Sequence, residues 1–244
     1  PGVTGSEVGA LDFLQRAGIE VGKGNNFRTL ADLDEEEMKK LVTEIAIKRL
    51  GSDNDPGSLL GPIYLLKGNQ FDNLRELTAL LNACARLNKP SLGIAICLGK
   101  GDKQEAFGVL DEFRRQIIKA LNWFYRKRFE FEREGFVIVN AENNINPSLT
   151  GIIANILTES NVYEDGKIIL VMARTPGEET KISARVCGEG DFIDLRKMLK
   201  DSVIKLGDYS VGGHKNACGA IIPKEKEEDF IETISKNLAK VVIQ

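Results

Sequence analysis

The segment Val211–Ala220 concentrates residues suited to holding an anion. Gly212 and Gly213 are adjacent, and two such glycines let the backbone take positive φ and approach a ligand closely. Successive N–H groups in a turn of that kind form an anion-binding nest, and His214 at its end can donate a hydrogen bond to a phosphate oxygen. Gly219 lets the next segment pack tightly. An ordinary glycine turn with one incidental histidine fits the same spacing. A second grouping is Lys181-Ile182-Ser183-Ala184-Arg185. In an alternating strand Ser183 and Arg185 share one face while Ile182 and Ala184 turn to the core. An arginine fork beside a hydroxyl suits a phosphate or a base edge, and a plain solvent-facing polar side of a strand is the other reading.

Other candidates carry less. Gly93 to Gly99-Lys100 has one residue too many for a P-loop and no Ser or Thr after the lysine. Asp53-Asn54-Asp55 lacks the rest of a calcium loop. Asp32, Asp34, Glu35, Glu36 and Glu37 read as helix capping and a solvated face rather than a cation site. Trp123 to Phe129 interleaves aromatic and basic residues, which suits either base stacking or a core stripe beside a basic strip. The four cysteines, Cys84, Cys97, Cys187 and Cys218, form no C-x-x-C pair, and His214 is the only histidine, so a structural zinc site is not expected. Free buried thiols fit a reducing cytoplasm.

The elements that position these groups follow from periodicity. The 244 residues carry 42% hydrophobic and 28% charged side chains, enough for one large or two modest domains, and no apolar run nears a membrane span. Net charge is −3, unlike a strongly basic nucleic-acid binder. The first half reads as helices: Ser6 to about Ala17, a helix capped by Asp34 and Glu37, Asn73 to Leu87, and a long one from Lys103 to Arg133. Gly51 to Gly57 is a loop, Pro62 to Leu66 a possible short strand, and Leu92 to Leu98 an apolar run that periodicity cannot assign. After Gly135 the texture becomes α/β. Strands are expected over Phe136–Val139, Lys167–Ala173, Thr180–Val186 and Ala220–Ile222, and helices after Asn146-Pro147, over Asp194–Leu206 and over Glu225–Val242. The border near Gly135 divides a helical part, residues 1–135, from an α/β part with a mixed sheet, residues 136–244.

The combination Ile182-Ser183-Ala184-Arg185, then Gly212-Gly213-His214-x-Asn216-Ala217-x-Gly219, resembles the C-terminal DHH-associated domain of DHH-family phosphoesterases. Asn146-Pro147-Ser148-Leu149-Thr150-Gly151 stands where that domain's first helix would begin. Leu80 to Arg86 and Gly93 to Gly99 look like the linking region of archaeal RecJ-like proteins, among them the GINS-associated nuclease. The resemblance implies a helical linking and insertion region over residues 1–135 and a DHH-associated nucleic-acid-binding domain over 136–244. It implies a parent that is a metal-dependent 5′-to-3′ exonuclease on single-stranded DNA, cytoplasmic, using manganese or magnesium and associated with the GINS complex. Within this chain it implies binding roles only: Gly212, Gly213 and His214 hold a phosphate, Arg185 a phosphate or base, and Ser183 and Asn216 orient them. No Asp-His-His motif is present and the chain starts without Met, so a fragment downstream of the catalytic domain, inactive alone, is expected. A non-catalytic replisome scaffold with a vestigial phosphate site is the alternative. The related C-terminal domain of alanyl-tRNA synthetase and the small-oligonucleotide phosphodiesterases fit less well, because the long helical half is not expected there.

Overall fold

The computed structural model describes residues 7–23, 26–28, 30–49, 61–62, 64–66, 71, 73–160, 162–188 and 193–242. The chain divides into two compact units, residues 1–64 and 65–244. Ser6, the Gly51–Gly57 loop and Ile63 lie outside the described residues.

In the first unit, α1 (Glu7–Arg16) is followed by the two-residue strands β1 (Gly22–Lys23) and β2 (Asn26–Phe27), paired antiparallel, and by α2 (Glu35–Arg49). The expected capping box forms: the Glu37 amide donates to the Asp34 carboxylate at 2.8 Å, and the Asp34 amide donates back to Glu37 at 3.1 Å. Arg28 clasps the same carboxylate with both terminal nitrogens, at 2.7 and 2.5 Å. The Arg28 hydrogen bond and the Asp34 amide bring the Glu37 carboxyl down to about 2. Ala17, Ile19 and Leu41 are the buried centre of a small core.

The second unit holds α3 (Leu74–Arg86), α4 (Pro90–Cys97), α5 (Lys103–Phe131), β3 (Phe136–Asn140), α6 (Thr150–Glu159), β4 (Ile168–Arg174), β5 (Glu179–Val186), α7 (Leu195–Ile204), β6 (Val211–His214), β7 (Ala217–Pro223) and α8 (Glu227–Val242). The strands form one mixed sheet in the order β3-β4-β5-β7-β6, with β3 and β4 parallel and every other pair antiparallel. The parallel pair needs a crossover, and α6 supplies it. A fold of helices flanking a mixed sheet is therefore what the chain adopts.

Alternation along the strands feeds two cores. Ile168, Leu170, Met172, Ile182, Ala184, Cys218 and Ala220 pack on one face against Leu195, Leu199 and Val203 of α7 and Phe230, Ile234 and Leu238 of α8. Val137, Val139, Ile169 and Val171 pack on the other against Ile153 and Leu157 of α6 and Phe113 and Phe124 of α5. A third cluster, built on Phe71, Leu80, Cys84 and Ile96, joins α3, α4 and α5. Phe124 is fully buried and Trp123 packs against the same core, so the aromatic–basic run of α5 is in large part a core stripe.

Two segments differ from expectation. The apolar run at Leu92 is helical: Pro90 occupies the first turn, where its missing N–H costs nothing. Gly93 brings α4 close to α3, since a Cβ there would stand 3.4 Å from the Cys84 Cβ. Pro62 to Leu66 is not a strand in its described residues. Only Leu65 makes an isolated bridge, to Asn73, and Pro62 has no N–H with which to extend a ladder.

Candidate nucleic-acid interface

The register across β5, β7 and β6 assembles residues that lie far apart in sequence. Arg185, Ala217 and His214 form one row, Ser183, Gly219 and Gly212 the next, and Lys181 faces Ile221 in a third. Ile182, Ala184, Cys218 and Ala220 belong to the core against α7 and α8, so these rows line the opposite face of the sheet. On that face α6 packs over β4 and β5. Past β5 the sheet is open: Gly212 and His214 are exposed, and Ala217 and Gly219 are half-buried. Two strand spacings separate Arg185 from His214, about 10 Å. The result is a shallow floor with bare backbone in the middle, an arginine and a hydroxyl on one side and an imidazole on the other.

Asn146 begins the covering side. Its side chain accepts from the Ser148 amide at 3.0 Å and caps a 3₁₀ turn over Pro147–Leu149, which runs into α6. That places Thr150 and Gly151 directly over β5. Thr150 Oγ1 and Ser183 Oγ are 2.9 Å apart, both buried. A Cβ on Gly151 would lie 3.5 Å from Arg185 Nη2 and 3.6 Å from Ser183 Oγ. Ser183 is therefore under the start of α6, and a plain solvent-facing side of the strand is not what the fold builds.

Arg185 is held rigidly and left charged. Its Nε donates to Asn155 Oδ1 at 2.6 Å, and its Nη1 donates to the backbone oxygens of Ala184 at 2.8 Å and Cys218 at 3.4 Å. All three acceptors are neutral, and Nη2 has no hydrogen-bond partner among the described residues. Burial pulls the guanidinium below its ordinary pKa, and the nearby Arg86 adds to the effect. A cation in this condition gains from any anion that reaches Nη2.

The glycines do different work from a nest. Gly212 and Gly213 lie in β6, paired with Gly219 and Cys218, and a paired strand sends alternate N–H groups to opposite edges rather than converging them. Gly213 takes φ +114°, where a Cβ would sit 2.5 Å from the Ala217 carbonyl oxygen, and a Cβ on Gly219 would sit 2.7 Å from that of Ile182. Both are required by the backbone. Gly212 has open space around its Cβ position and no positive φ, so packing does not require it. Asn216 stands in the two-residue turn between β6 and β7, its Oδ1 enclosed and without a hydrogen-bond partner. The sequence does not mark Asn155 at all, and it does not bring Thr150, Gly151 or Arg86 to this site. The one available signal was the Asn146-Pro147 cap, which fixes where α6 begins.

Among the described residues no group of three or more His, Cys, Asp or Glu side chains is placed to hold an ion, so the residues present do not fit a catalytic metal. Nor is any helix among them long and apolar enough to cross a membrane.

Residues 134–240 match the DHHA1 domain. The chain is 28% identical over 240 residues to the uncharacterized protein MJ0831 of Methanocaldococcus jannaschii, covering 95% of this chain and 48% of that protein. It thus spans about half the length of that curated relative. Its fold is similar to that of RecJ from Thermus thermophilus in complex with Mn²⁺, with a TM-score of 0.50, 18% identity, and coverage of 83% of this chain and 30% of that one. It is also similar to CDC45 from Entamoeba histolytica, with a TM-score of 0.56, 7% identity, and coverage of 96% and 51%. Every row of the open sheet floor lies within residues 134–240, the part of this chain that is similar to the DHHA1 domain.

Proposed function

We propose that the open floor binds the phosphate backbone of single-stranded nucleic acid, and that the chain is the nucleic-acid- and partner-binding part of a RecJ-like 5′-to-3′ exonuclease. The observation that carries this reading is Arg185. It is a partly desolvated cation fixed by neutral acceptors, with its free nitrogen beside Gly151 and the bare backbone of Gly219 and Gly212 next to it. Such a group costs stability unless an anion completes it. In this reading Arg185 and His214 flank a phosphate laid on the backbone of Gly212 and Gly219, Gly213 shapes the strand beside it, and Ser183 and Asn216 orient the surrounding groups.

The parent enzyme would take its manganese or magnesium on groups other than the described residues of this chain. The chain alone is therefore expected not to hydrolyse single-stranded DNA in manganese, magnesium or zinc, and metal-dependent turnover by rigorously purified protein would contradict that. The binding test is a titration of short oligothymidylate against the parent chain, Arg185→Ala and His214→Ala. Weak, salt-sensitive binding that both substitutions reduce is the expected result. Parent-like binding by both variants removes the reading.

A replisome partner, the GINS complex, completes the proposal. Support for it is the resemblance of Leu80–Arg86 and Gly93–Gly99 to the linking region of archaeal RecJ-like proteins. Calorimetry with an archaeal GINS complex tests it, and absence of binding at tens of micromolar counts against it. A non-catalytic scaffold is the competing reading, and the RecJ and CDC45 likenesses accommodate both. Metal-dependent hydrolysis by a full-length relative separates them: the scaffold binds strands without cleaving them.

A further inference from the structure

The floor carries more positive charge than one phosphate requires. Along β5, Arg185, Ser183 and Lys181 face the same side, each about 7 Å from the next. Lys181 has no hydrogen-bond or ion-pair partner among the described residues. Across the sheet from it is Ile221, which is 42% exposed.

A third cation comes from the helical half of the same unit. Arg86, in the last turn of α3, donates from Nη1 to the Ser148 carbonyl oxygen at 3.1 Å. Ser148 lies in the 3₁₀ turn that continues into Thr150 and Gly151, the residues lying against Ser183 and Arg185. The guanidinium is thus anchored at the edge of the ground that Lys181 and Arg185 occupy. Its other hydrogen bond, at 3.5 Å, goes to Asn82 Oδ1, so like Arg185 it is met by neutral acceptors only. Burial lowers the pKa of both Lys181 and Arg185, and the charge of Arg86 lowers both further.

Elsewhere in the chain the half-buried arginines have carboxylates, while the exposed Arg126 and Arg133 meet only backbone oxygens. Arg28 has Glu37, Arg128 has Glu132, and Arg174 has Glu227. Arg86 repels both Lys181 and Arg185, and three cations without a carboxylate partner, gathered from α3 and β5, make a site for more than one negative charge.

We infer that Arg86 and Lys181 form a second phosphate subsite beside the Arg185 subsite, so that the floor engages at least two consecutive phosphates of a strand. Ile221 then offers an apolar surface to the sugar or base near the second phosphate. This rests on the phosphate reading of the floor. It adds that at least two phosphates are engaged at once, and that the helical half takes part in binding.

The test uses the 244-residue chain with two probes, thymidine 5′-monophosphate and pentathymidylate, at several salt concentrations. Lys181→Ala and Arg86→Gln are each expected to weaken pentathymidylate about fivefold or more, by loss of a charge-assisted contact. Each should lower the salt slope by about 0.7, the value for one single-strand phosphate contact. Neither should change monophosphate binding by more than about twofold, whereas Arg185→Ala weakens both probes. Lys181 makes no contact that the fold needs, so its variant decides the matter even if Arg86→Gln melts early. Parent-like pentathymidylate binding by Lys181→Ala, or equal losses for both probes, overturns the second subsite and leaves the first standing. Unchanged binding of both probes by Arg185→Ala overturns the phosphate reading itself.

Discussion

Arg174 and Arg185 are placed by the same sheet and meet opposite fates. Arg174, at the end of β4, reaches the Glu227 carboxylate at 2.9 and 2.7 Å. Glu227 is 3% exposed and also accepts from Thr180 Oγ1 and, at 3.4 Å, from Asn140 Nδ2. Burial pushes the Glu227 carboxyl up, but the hydrogen bonds from Arg174, Thr180 and Asn140 outweigh it and hold it below the usual carboxylate range. The network ties α8 to β3, β4 and β5 and is complete in itself. Arg185, at the other end of β5, is fixed just as firmly, yet by Asn155 and two backbone oxygens, with no carboxylate. A closed ion pair is a structural clamp. A held but unanswered cation beside an open face is what the proposed phosphate site asks of its arginine. Arginine content alone does not separate the two; the partner does.

The contrast breaks most visibly at Arg174. Arg174→Ala strands Glu227 in the interior without its cation and is expected to destabilise the fold by about 3–5 kcal/mol, read by denaturant titration. The loss should shrink as pH falls through the ordinary carboxylate range, because a Glu227 robbed of its partner is relieved by protonation. A pH-independent loss would contradict the clamp. The glycines come next. Gly213→Ala and Gly219→Ala press a Cβ to 2.5 and 2.7 Å from carbonyl oxygens, and a loss of about 1–3 kcal/mol is expected for each. Melting temperatures equal to the parent's would mean the β5-β7-β6 backbone is looser than described. Arg185→Ala should change stability by less than about 1 kcal/mol, since it gives up three neutral acceptors but also a desolvated charge. Its effect belongs in binding. A loss as large as that of Arg174→Ala would place Arg185 among the clamps.

The smallest effect lies in the first unit. Glu37 is depressed to about 2 by Arg28 and the Asp34 amide. Its contribution is present above the ordinary carboxylate pKa and is lost as pH falls toward 2. Ellipticity followed from pH 5 to pH 2 should therefore show Glu37→Gln converging on the parent at the acid end and differing from it at pH 5.

Much of the fold was legible because its determinants are local. The Asp34–Glu37 capping box and the Asn146-Pro147 start are chemistry within three residues, and each forms as read. Alternation over 180–186 correctly put Ile182 and Ala184 in the core and Ser183 with Arg185 on the other face. The α4 run failed to declare itself because it is apolar all round: Ile96 is fully buried while Ile94 is 61% exposed, so no stripe marks a period. The site's rows were invisible for another reason. Which residue of β7 faces Arg185 depends on a non-local register, and Arg86 reaches Ser148 across 62 residues of chain. The paired glycines looked like a nest because sequence gives conformational freedom without saying that a strand partner removes it.

The central claim is that the open backbone of β6 and β7 is a phosphate floor, and Gly212 tests it most directly, because no atom within 4 Å forbids a side chain there. The measurement is a fluorescence-anisotropy titration of labelled pentathymidylate with the parent and with Gly212→Val, alongside their denaturant midpoints. The floor account predicts that valine, at home in a strand, leaves stability within about 1 kcal/mol of the parent. It also predicts that oligonucleotide affinity falls at least about tenfold, because the approach to the backbone beside Ser183 and Arg185 is filled. Equal stability with equal affinity would contradict the account, since the one glycine of the floor that packing leaves free would then serve no ligand.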